Sequence, residues 1–237
     1  MPANSQTPLN VSVVIPAHNA EKFVREAIES VLKQTHPTAE IIVVDDGSSD
    51  STPQIVSAFE SVRYHRQEQS GAAVARNVGA KIATSKWIAF LDADDIWLPN
   101  KLEQQAAAFS ADPDLKMAFG QIKEFVSPHL SPAEASLLKP RLEALSGPSS
   151  ITLLMRRIDF LDTGGFPTDL KLGEFISWYD NAIHSGLTSH TIPEVLALRR
   201  LHTTNQGRTN RSHLNQFALI AKRALDRKRQ SQAQQQQ

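Results

Sequence analysis

Apolar positions along the chain follow two different periods. Three short runs, at residues 11–15, 41–44 and 87–91, are almost continuously apolar, which is typical of strands that are buried on both faces in a parallel sheet. Between the first two runs, residues 21–33 place their apolar side chains on one stripe of a helix. This order of periods predicts a strand–helix–strand unit at the start of the chain.

The same alternation continues further along the sequence. The pattern predicts strands at residues 62–65 and around 117–125, with helices at 72–83 and 99–109 between them. The order of these elements predicts an α/β fold, in which helices flank a single, Rossmann-like and mostly parallel central sheet.

The segment at residues 126–150 breaks this regularity. Four prolines are interleaved with serines there, and prolines at that density prevent one long helix, so short helices are predicted at 133–138 and 141–145. Such a segment is typical either of a mobile lid or of a passive surface loop. A strand at 151–155 and a helical turn at 156–161 are expected to follow.

Acidic side chains stand where the third apolar run ends. Asp92, Asp94 and Asp95 follow that run directly, at the carboxyl edge where open α/β sheets bind their ligands. Carboxylates this close repel one another, and a shared divalent cation relieves the repulsion. The alternative interpretation is that Asp94 or Asp95 ends the strand and caps a helix opened by Pro99.

The first two apolar runs end in polar turns as well. Asp45 and Asp46 close the second run and precede Gly47, and Thr52 is predicted to cap the next helix. An acid in this place can accept hydrogen bonds from a nucleobase or from ribose hydroxyls. The first run leads into the turn at residues 16–19, so three neighbouring strand ends carry polar groups.

Four segments together carry a resemblance that is more specific than any one of them. Residues 11–19, 40–50, 71–79 and 90–95 resemble, in order and spacing, the nucleotide-binding half of family-2 glycosyltransferases with the GT-A fold. The resemblance implies transfer of a sugar from a nucleotide-diphosphate sugar to the hydroxyl of a saccharide, lipid or protein acceptor. It also implies inversion at the anomeric carbon.

The same resemblance implies which residues bind the nucleotide sugar. It places the donor across the carboxyl ends of the strands and against the turns that follow them. The implied residues are Pro16, Ala17, His18, Asn19, Asp46, Gly71, Arg76, Asp92, Ala93, Gly165, Arg200 and His202.

The implied cofactor is Mg²⁺ or Mn²⁺, since hard oxygen ligands suit both ions. Asp94 is expected to hold the ion, with Asp92 or Asp95 as a further ligand. Arg200 and His202 resemble the late Arg-x-His motif of the family. A cationic arginine can stabilise the charge of a leaving group, and a neutral imidazole can ligate the metal.

The general base is expected on a helix that follows the glycine turn at residues 164–166. Glu174 occupies the acidic position that the resemblance implies, whereas Ser177 stands where some similar sequences carry another acid. Asp180, further along the same helix, is the second candidate. Six residues turn two helical side chains to different faces, so one of the two acids is expected to act, and Glu174 is favoured because it is nearer the helix start.

Composition agrees with this interpretation. With 237 residues and 41% apolar content, the chain can form one full core, so residues 1–226 are predicted to be a single domain. Its nucleotide-binding half covers about 10–125 and its smaller acceptor half about 126–226.

A formal net charge of zero indicates no nucleic-acid partner, and no apolar run is long enough to span a membrane. A cytoplasmic protein is predicted, with peripheral membrane attachment left open, and residues 227–237 are expected to form a disordered, basic and glutamine-rich tail.

Three other classes of protein are alternatives to this one. A nucleotidyltransferase would usually carry a glycine-rich phosphate loop after its first strand, and a dinucleotide-dependent oxidoreductase would carry Gly-x-Gly-x-x-Gly there. Residues 16–19 match neither pattern. A non-catalytic module that binds a nucleotide sugar remains the main alternative, because the acidic region around Ser177 is altered.

Overall fold

The computed structural model describes residues 9–205, 216, 218–223 and 225–226, so the predicted tail at 227–237 lies outside the described residues. Its strands form one sheet, in the order β3-β2-β1-β4-β7-β6-β8-β5. In chain order the strands are β1 (Val11–Ala17), β2 (Glu40–Asp46), β3 (Val62–Gln67), β4 (Trp87–Phe90), β5 (Ile96–Trp97), β6 (Met117–Val126), β7 (Leu154–Arg156) and β8 (Ser189–Leu201).

Helices flank this sheet. They are α1 (Val24–Leu32), α2 (Thr52–Ser57), α3 (Ala72–Ile82), α4 (Lys101–Ala111), α5 (Pro132–Ser136), α6 (Arg157–Asp162) and α7 (Glu174–His184), with a 3-10 helix at Ser150–Thr152. Within the described part of the chain, no helix combines the length and the apolar character that crossing a bilayer requires.

The sheet has a parallel half and a mixed half. Strands β3, β2, β1 and β4 run parallel to one another, so their carboxyl ends meet at one edge. Strand β7 pairs antiparallel with both β4 and β6, β5 pairs antiparallel with β8, and β6 pairs parallel with β8. The predicted α/β fold with one central sheet and flanking helices is confirmed, and the antiparallel pairs lie in its second half.

Strand β1 is buried on both faces, as its apolar run predicts. Val13 and Ile15 pack in one apolar cluster with Ile28 of α1, whereas Val14 packs in the cluster on the opposite face. Gly79 lets α3 approach this second face closely, because a Cβ atom there would stand 2.3 Å from Cγ1 of Val14. Helices on both faces thus hold β1 in the centre of the fold.

The segment at residues 126–150 holds one short helix instead of the two predicted. Helix α5 lies where the first was expected and begins with a capping box. The helix predicted at 141–145 is wrong, because Leu145 pairs with Ile122 of β6 through two backbone hydrogen bonds of 2.7 and 3.0 Å. The edge of a strand therefore satisfies the backbone groups that a helix would have satisfied internally.

Several predicted boundaries are shifted. Thr52 is the first residue of α2 and not its cap, because its Oγ1 accepts a hydrogen bond of 2.8 Å from the backbone N–H of Ala20. Helix α4 begins two residues after Pro99, and the strand predicted from residue 151 begins at Leu154, after the 3-10 helix. Each shift is local and leaves the order of the elements unchanged.

The pairing of β5 with β8 decides which residues meet at the sheet edge. Strand β5 follows the acidic turn at residues 92–95 at once and pairs with the last part of β8, Ile96 opposite Leu198. The end of β8 therefore returns to the acidic turn. Arg200 and His202 reach this turn across more than 100 residues of sequence.

Candidate active site

Three carboxylates cluster in the turn between β4 and β5. One oxygen of each of Asp92, Asp94 and Asp95 lies within 4.8 Å of the others. Asp95 is buried, and this burial, together with the charges of Asp94 and Asp92, raises its pKa well above the ordinary aspartate value. The turn therefore concentrates negative charge where a divalent cation would neutralise it.

His202 brings an imidazole nitrogen to this cluster. Its Nε2 lies 2.9 Å from Oδ2 of Asp94, and its Nδ1 lies 2.9 Å from the hydroxyl of Thr204. The ring packs against Phe23 with centroids 4.7 Å apart, and its backbone N–H donates to Asn205 at 2.6 Å. These contacts orient Nε2 towards the carboxylates, as expected of an imidazole that ligates a metal.

Arg200 is fully buried beneath the acidic turn. Its Nε donates to the backbone oxygen of Asp94 and its backbone N–H donates to the carboxylate of Asp95, both at 2.8 Å. Its Nη2 forms an ion pair of 2.7 Å with Glu26 of α1. The described contacts thus tie Arg200 to the turn itself, and its predicted contact with the diphosphate stays a prediction.

Arg76 of α3 joins the acidic turn to helix α7. Its guanidinium pairs with Asp92 at 2.5 Å and with Glu174 at 3.2 Å. Burial opposes the charge of Arg76, but the two carboxylates outweigh that effect and raise its pKa. Arg76 also lies over the ring of Phe166, 5.8 Å from its centroid. A permanently cationic side chain therefore holds two predicted site residues together.

The two candidate bases are placed differently. Glu174 is the first residue of α7, next to Gly173, which has a positive φ of 79°. Asp180 lies further along the helix and pairs with His184 at 3.5 Å, one helical turn away. Ser177, on the turn between them, is buried. The structure thus brings Glu174 to the acidic turn through Arg76, whereas Asp180 contacts its own helix.

Asn77 holds the predicted Gly-Gly-Phe turn against α3. Its Nδ2 donates to the backbone oxygen of Phe166 at 2.7 Å, and its Oδ1 accepts from the N–H of Phe166 at 2.9 Å. Gly165 has a φ of 72° and a Cβ there would stand 2.6 Å from Asn77 Oδ1. Glycine is therefore required both by the backbone conformation and by the close approach of Asn77.

Asp46 is enclosed at the end of β2. Its carboxylate accepts from the N–H groups of Ser70 and Gly71 at 2.8 and 2.7 Å and from the amide of Gln67 at 2.7 Å. Asp46 is only 4% exposed. In this structure it organises the turn into α3, where Gly71, with a φ of 100°, occupies the N-cap position.

The turn after β1 supplies exposed polar groups beside Asp46. His18 is exposed, its Nδ1 lies 2.8 Å from the backbone oxygen of Asp46, and its Nε2 lies 3.2 Å from the amide of Gln69. Asn19, with a φ of 49°, accepts from the N–H of Ser49 at 2.8 Å. The other two predicted residues of this turn, at positions 16 and 17, are buried in β1.

Two cavities open beside these groups. A cavity of about 270 Å³ is bounded by Gly71 at the start of α3 and by Glu174 at the start of α7. A second cavity of about 380 Å³ is bounded by Asn19, Phe23 and His202. Ala93, a further predicted site residue, is 7% exposed within the acidic turn between β4 and β5. Gly71, Glu174, Asn19 and His202 are the predicted site residues that border these two cavities.

Some residues that shape the site were not assigned to it from the sequence. Glu26 is one of two acids in α1, and Gln69 lies in a loop without a motif. Asn77 stood inside a matched segment without an assigned role. Asp45 is buried and binds Tyr64, Arg66 and the N–H of Ser48. Burial raises its pKa, but the hydrogen bonds outweigh this and hold the pKa below the ordinary value.

Comparison with known proteins identifies the family of the chain. The sequence model described as Glycosyl transferase family 2 matches residues 12–147. The match covers more than half of the chain, and the chain belongs to this family.

Named relatives match the first part of the chain. The chain is 47% identical over 98 residues to the UDP-Glc:alpha-D-GlcNAc-diphosphoundecaprenol beta-1,3-glucosyltransferase WfgD of Escherichia coli. This match covers 40% of this chain and 39% of that protein. It is 41% identical over 110 residues to the glycosyltransferase GlyG of Streptococcus pneumoniae, and this match covers 43% of this chain and 36% of that protein. The matches thus span well under half of each relative.

A solved structure matches the fold more widely. The crystal structure of S. aureus TarS 1-349 in complex with UDP has a TM-score of 0.65 and 24% sequence identity, and the match covers 81% of this chain and 61% of that one. At this identity the likeness concerns the fold, and it extends beyond the segment that the sequence relatives match.

Proposed function

We propose that this chain transfers a sugar from a nucleotide-diphosphate sugar to an acceptor hydroxyl, with a divalent cation and with inversion. The observation that supports this function best is the contact of 2.9 Å between His202 and Asp94, beside Asp92. Carboxylate and imidazole ligands meet there at the sheet edge where α/β folds bind nucleotides. The family of the chain supports the same reaction.

The donor nucleotide is assigned to the turns after β1 and β2. His18 and Asn19 are exposed there and present polar side chains, whereas Asp46 holds the N–H groups of Ser70 and Gly71. We infer that Asp46 shapes the nucleotide site and that the exposed groups contact base and ribose. Residues of about 10–125 would form this half of the site, and residues of about 126–226 the acceptor half.

The ligand set fits a hard divalent cation. Asp94, Asp92 and His202 would hold Mg²⁺ or Mn²⁺, which when bound offsets the charge that develops on the diphosphate leaving group. Arg200 supports this arrangement by binding the backbone oxygen of Asp94. Arg76 neutralises part of the charge of Asp92 and keeps its carboxylate at the edge of the turn.

Glu174 is the proposed general base. Its carboxylate lies beside the cavity of about 270 Å³ and would accept the proton of the acceptor hydroxyl as that oxygen attacks the anomeric carbon. Arg76, at 3.2 Å, orients the carboxylate. Attack from the face opposite the diphosphate inverts the anomeric centre.

The relatives suggest a class of donor and acceptor. The name of WfgD gives UDP-glucose as its donor and a diphosphoundecaprenol-linked GlcNAc as its acceptor. We therefore propose a UDP-sugar as donor and a lipid-linked saccharide as the first acceptor to test for this chain.

A non-catalytic nucleotide-sugar-binding module is the second candidate. Glu174 is already paired with Arg76, and buried Ser177 supplies no second acid on the next turn of α7. A chain of this kind would bind the donor without consuming it.

A thermal-shift screen of UDP-sugars with and without Mn²⁺ tests binding, because a ligand of the native state raises the melting temperature by mass action. Release of UDP from the preferred sugar then separates enzyme from binding module. The proposed function predicts a metal-dependent shift and metal-dependent UDP release. A shift without any release, with lipid-linked saccharide present, would favour the binding module, and no shift with any UDP-sugar would refute the proposed class of donor for both candidates.

A further inference from the structure

Glu26 is an acid of α1 that no motif identifies, yet it binds Arg200, the residue that supports the acidic turn. Its Oε2 accepts a hydrogen bond of 2.7 Å from Arg200 Nη2, and its Oε1 lies 3.3 Å from Nε2 of His129. Burial raises the pKa of Glu26, but the hydrogen bond and charge of Arg200 outweigh this and lower it. Glu26 is therefore an anion held at the outer end of a buried arginine.

Arg200 needs such an anion. Its side chain is 0% exposed, and its guanidinium lies between the rings of Phe23 and Phe125, 5.2 and 4.8 Å from their centroids. Aromatic rings alone compensate a buried charge only in part. Among the described residues, Nη1 of Arg200 has no hydrogen-bond partner. Glu26 is thus the carboxylate that the structure pairs with this side chain.

The other end of Arg200 sets the geometry of the acidic turn. Its Nε binds the backbone oxygen of Asp94 and its backbone N–H binds Asp95, each at 2.8 Å. These two bonds fix Asp94 and Asp95 relative to β8. An arginine that lost its partner at the outer end would be drawn towards the side-chain carboxylates of the turn, where it would compete with a cation.

We propose that Glu26 is a positioning residue for the metal ligands. It holds Arg200 in the orientation that binds the Asp94 backbone and keeps the guanidinium away from the carboxylates of Asp92 and Asp94. This inference rests on the proposed metal-dependent function. It assigns to α1, outside every matched acidic motif, a part in setting the affinity for the cation.

The test is Glu26→Gln, with Mn²⁺ binding measured in the presence of UDP by the electron paramagnetic resonance signal of free Mn²⁺. Loss of a group that orients a metal ligand typically weakens metal binding by about 10- to 100-fold, and we expect a change in that range. Glu29→Gln is the matched control, because Glu29 lies three residues further along α1 and pairs with exposed Lys33 at 3.3 Å. The control is expected to bind Mn²⁺ as wild type does.

A double variant separates this role from a loss of folding. Glu26→Gln leaves a buried arginine without its partner, whereas Glu26→Gln combined with Arg200→Met removes the charge as well. If Glu26 acts through Arg200, the double variant and Arg200→Met alone bind Mn²⁺ equally weakly, since residues that act as one unit are not additive. Circular dichroism and a cooperative melt confirm that each protein is folded.

The possible results point to different failures. Wild-type Mn²⁺ affinity in folded Glu26→Gln, or additive losses in the double variant, would overturn the role of Glu26 alone. Absence of UDP-dependent Mn²⁺ binding in the wild-type protein would overturn the proposed metal-dependent function and this inference together. A loss of affinity in Glu29→Gln as large as that in Glu26→Gln would show a general charge effect and overturn the specific role.

Discussion

Asp94 and Asp95 are neighbours with different environments. Asp95 is 4% exposed and accepts the N–H of Arg200, so its carboxylate serves the fold. The side chain of Asp94 is 30% exposed and faces His202, so it remains accessible to a ligand. Burial therefore divides the acidic turn into a structural carboxylate and a carboxylate that stays accessible to the proposed cation.

Asp94→Ala is expected to abolish metal-dependent binding of the nucleotide sugar and sugar transfer while leaving the fold intact. The carboxylate is partly exposed and contributes little to the core, whereas it is the proposed metal ligand. Isothermal titration with UDP-sugar and Mn²⁺, together with the melting temperature, measures both effects. Asp114→Ala, at an exposed loop position, is the control, and wild-type transfer by Asp94→Ala would refute the assignment.

Glu174→Gln is expected to keep donor affinity and to lower the transfer rate by about a hundredfold or more, because a general base contributes on that order. Asp180→Asn is the matched control on the same helix, and its pairing with His184 at 3.5 Å predicts a small effect. Turnover and donor dissociation constants of both variants decide between them. A large loss of turnover in Asp180→Asn alone would transfer the role to that residue.

At the scale of elements, short-range packing places the site. Helix α3 carries Arg76 and Asn77, and these two residues contact the acidic turn, α7 and the Gly165 turn. Helix α3 can reach all three because Gly79 lets it lie close against β1. The position of this helix therefore controls the distance between the acidic turn and Glu174.

Gly79→Ala is expected to destabilise the protein by about 1–3 kcal/mol, the usual range for overpacking a core. A Cβ at this position would stand 2.3 Å from Cγ1 of Val14, so α3 or the strand must shift. The free energy of unfolding in guanidinium chloride measures the effect. Adding Val14→Ala removes the clashing methyl groups, and the double variant is expected to lose less than the two single variants together. Full additivity would contradict the proposed contact.

At the scale of the whole molecule, a buried polar cluster joins the helix layer to the sheet. Lys101 is fully buried, donates to Gln105 at 2.7 Å and lies 3.9 Å from the ring centroid of Trp97. Gln105 in turn donates to the backbone oxygens of Ala118 and Thr152 at 2.8 and 2.6 Å. Burial lowers the pKa of Lys101 well below its ordinary value, because it disfavours the charged form of the amine.

This cluster predicts a pH dependence of stability. A lysine of lowered pKa binds fewer protons in the folded than in the unfolded chain, so the free energy of unfolding rises with pH between the folded pKa and the unfolded value of about 10.4. Lys101→Met is expected to lose this part of the slope. Chemical unfolding at several pH values up to about 10 measures it, with Lys33→Met as an exposed control. Equal slopes in wild type and Lys101→Met would contradict the prediction.

Much of the fold followed from sequence because the signals are local. Buried strands, helical stripes and glycine turns depend on neighbouring residues, and the observed β1, β2, β3, β4 and β6 begin and end within a few residues of the strands predicted. Local signals failed where a distant partner decided the structure. The segment at 141–145 pairs with Ile122, and Thr52 binds the backbone of Ala20.

The sequence by itself determined the α/β class, the family and the acidic turn at 92–95, because these depend on periodicity and on closely spaced motifs. Only the tertiary structure decided how the acids are used. It buried Asp95, joined Glu174 to Asp92 through Arg76, and brought His202 to Asp94 across 108 residues of sequence. The physical reason is that burial, ion pairing and metal-ligand geometry depend on distances in space, which strand order and helix packing set and residue spacing does not.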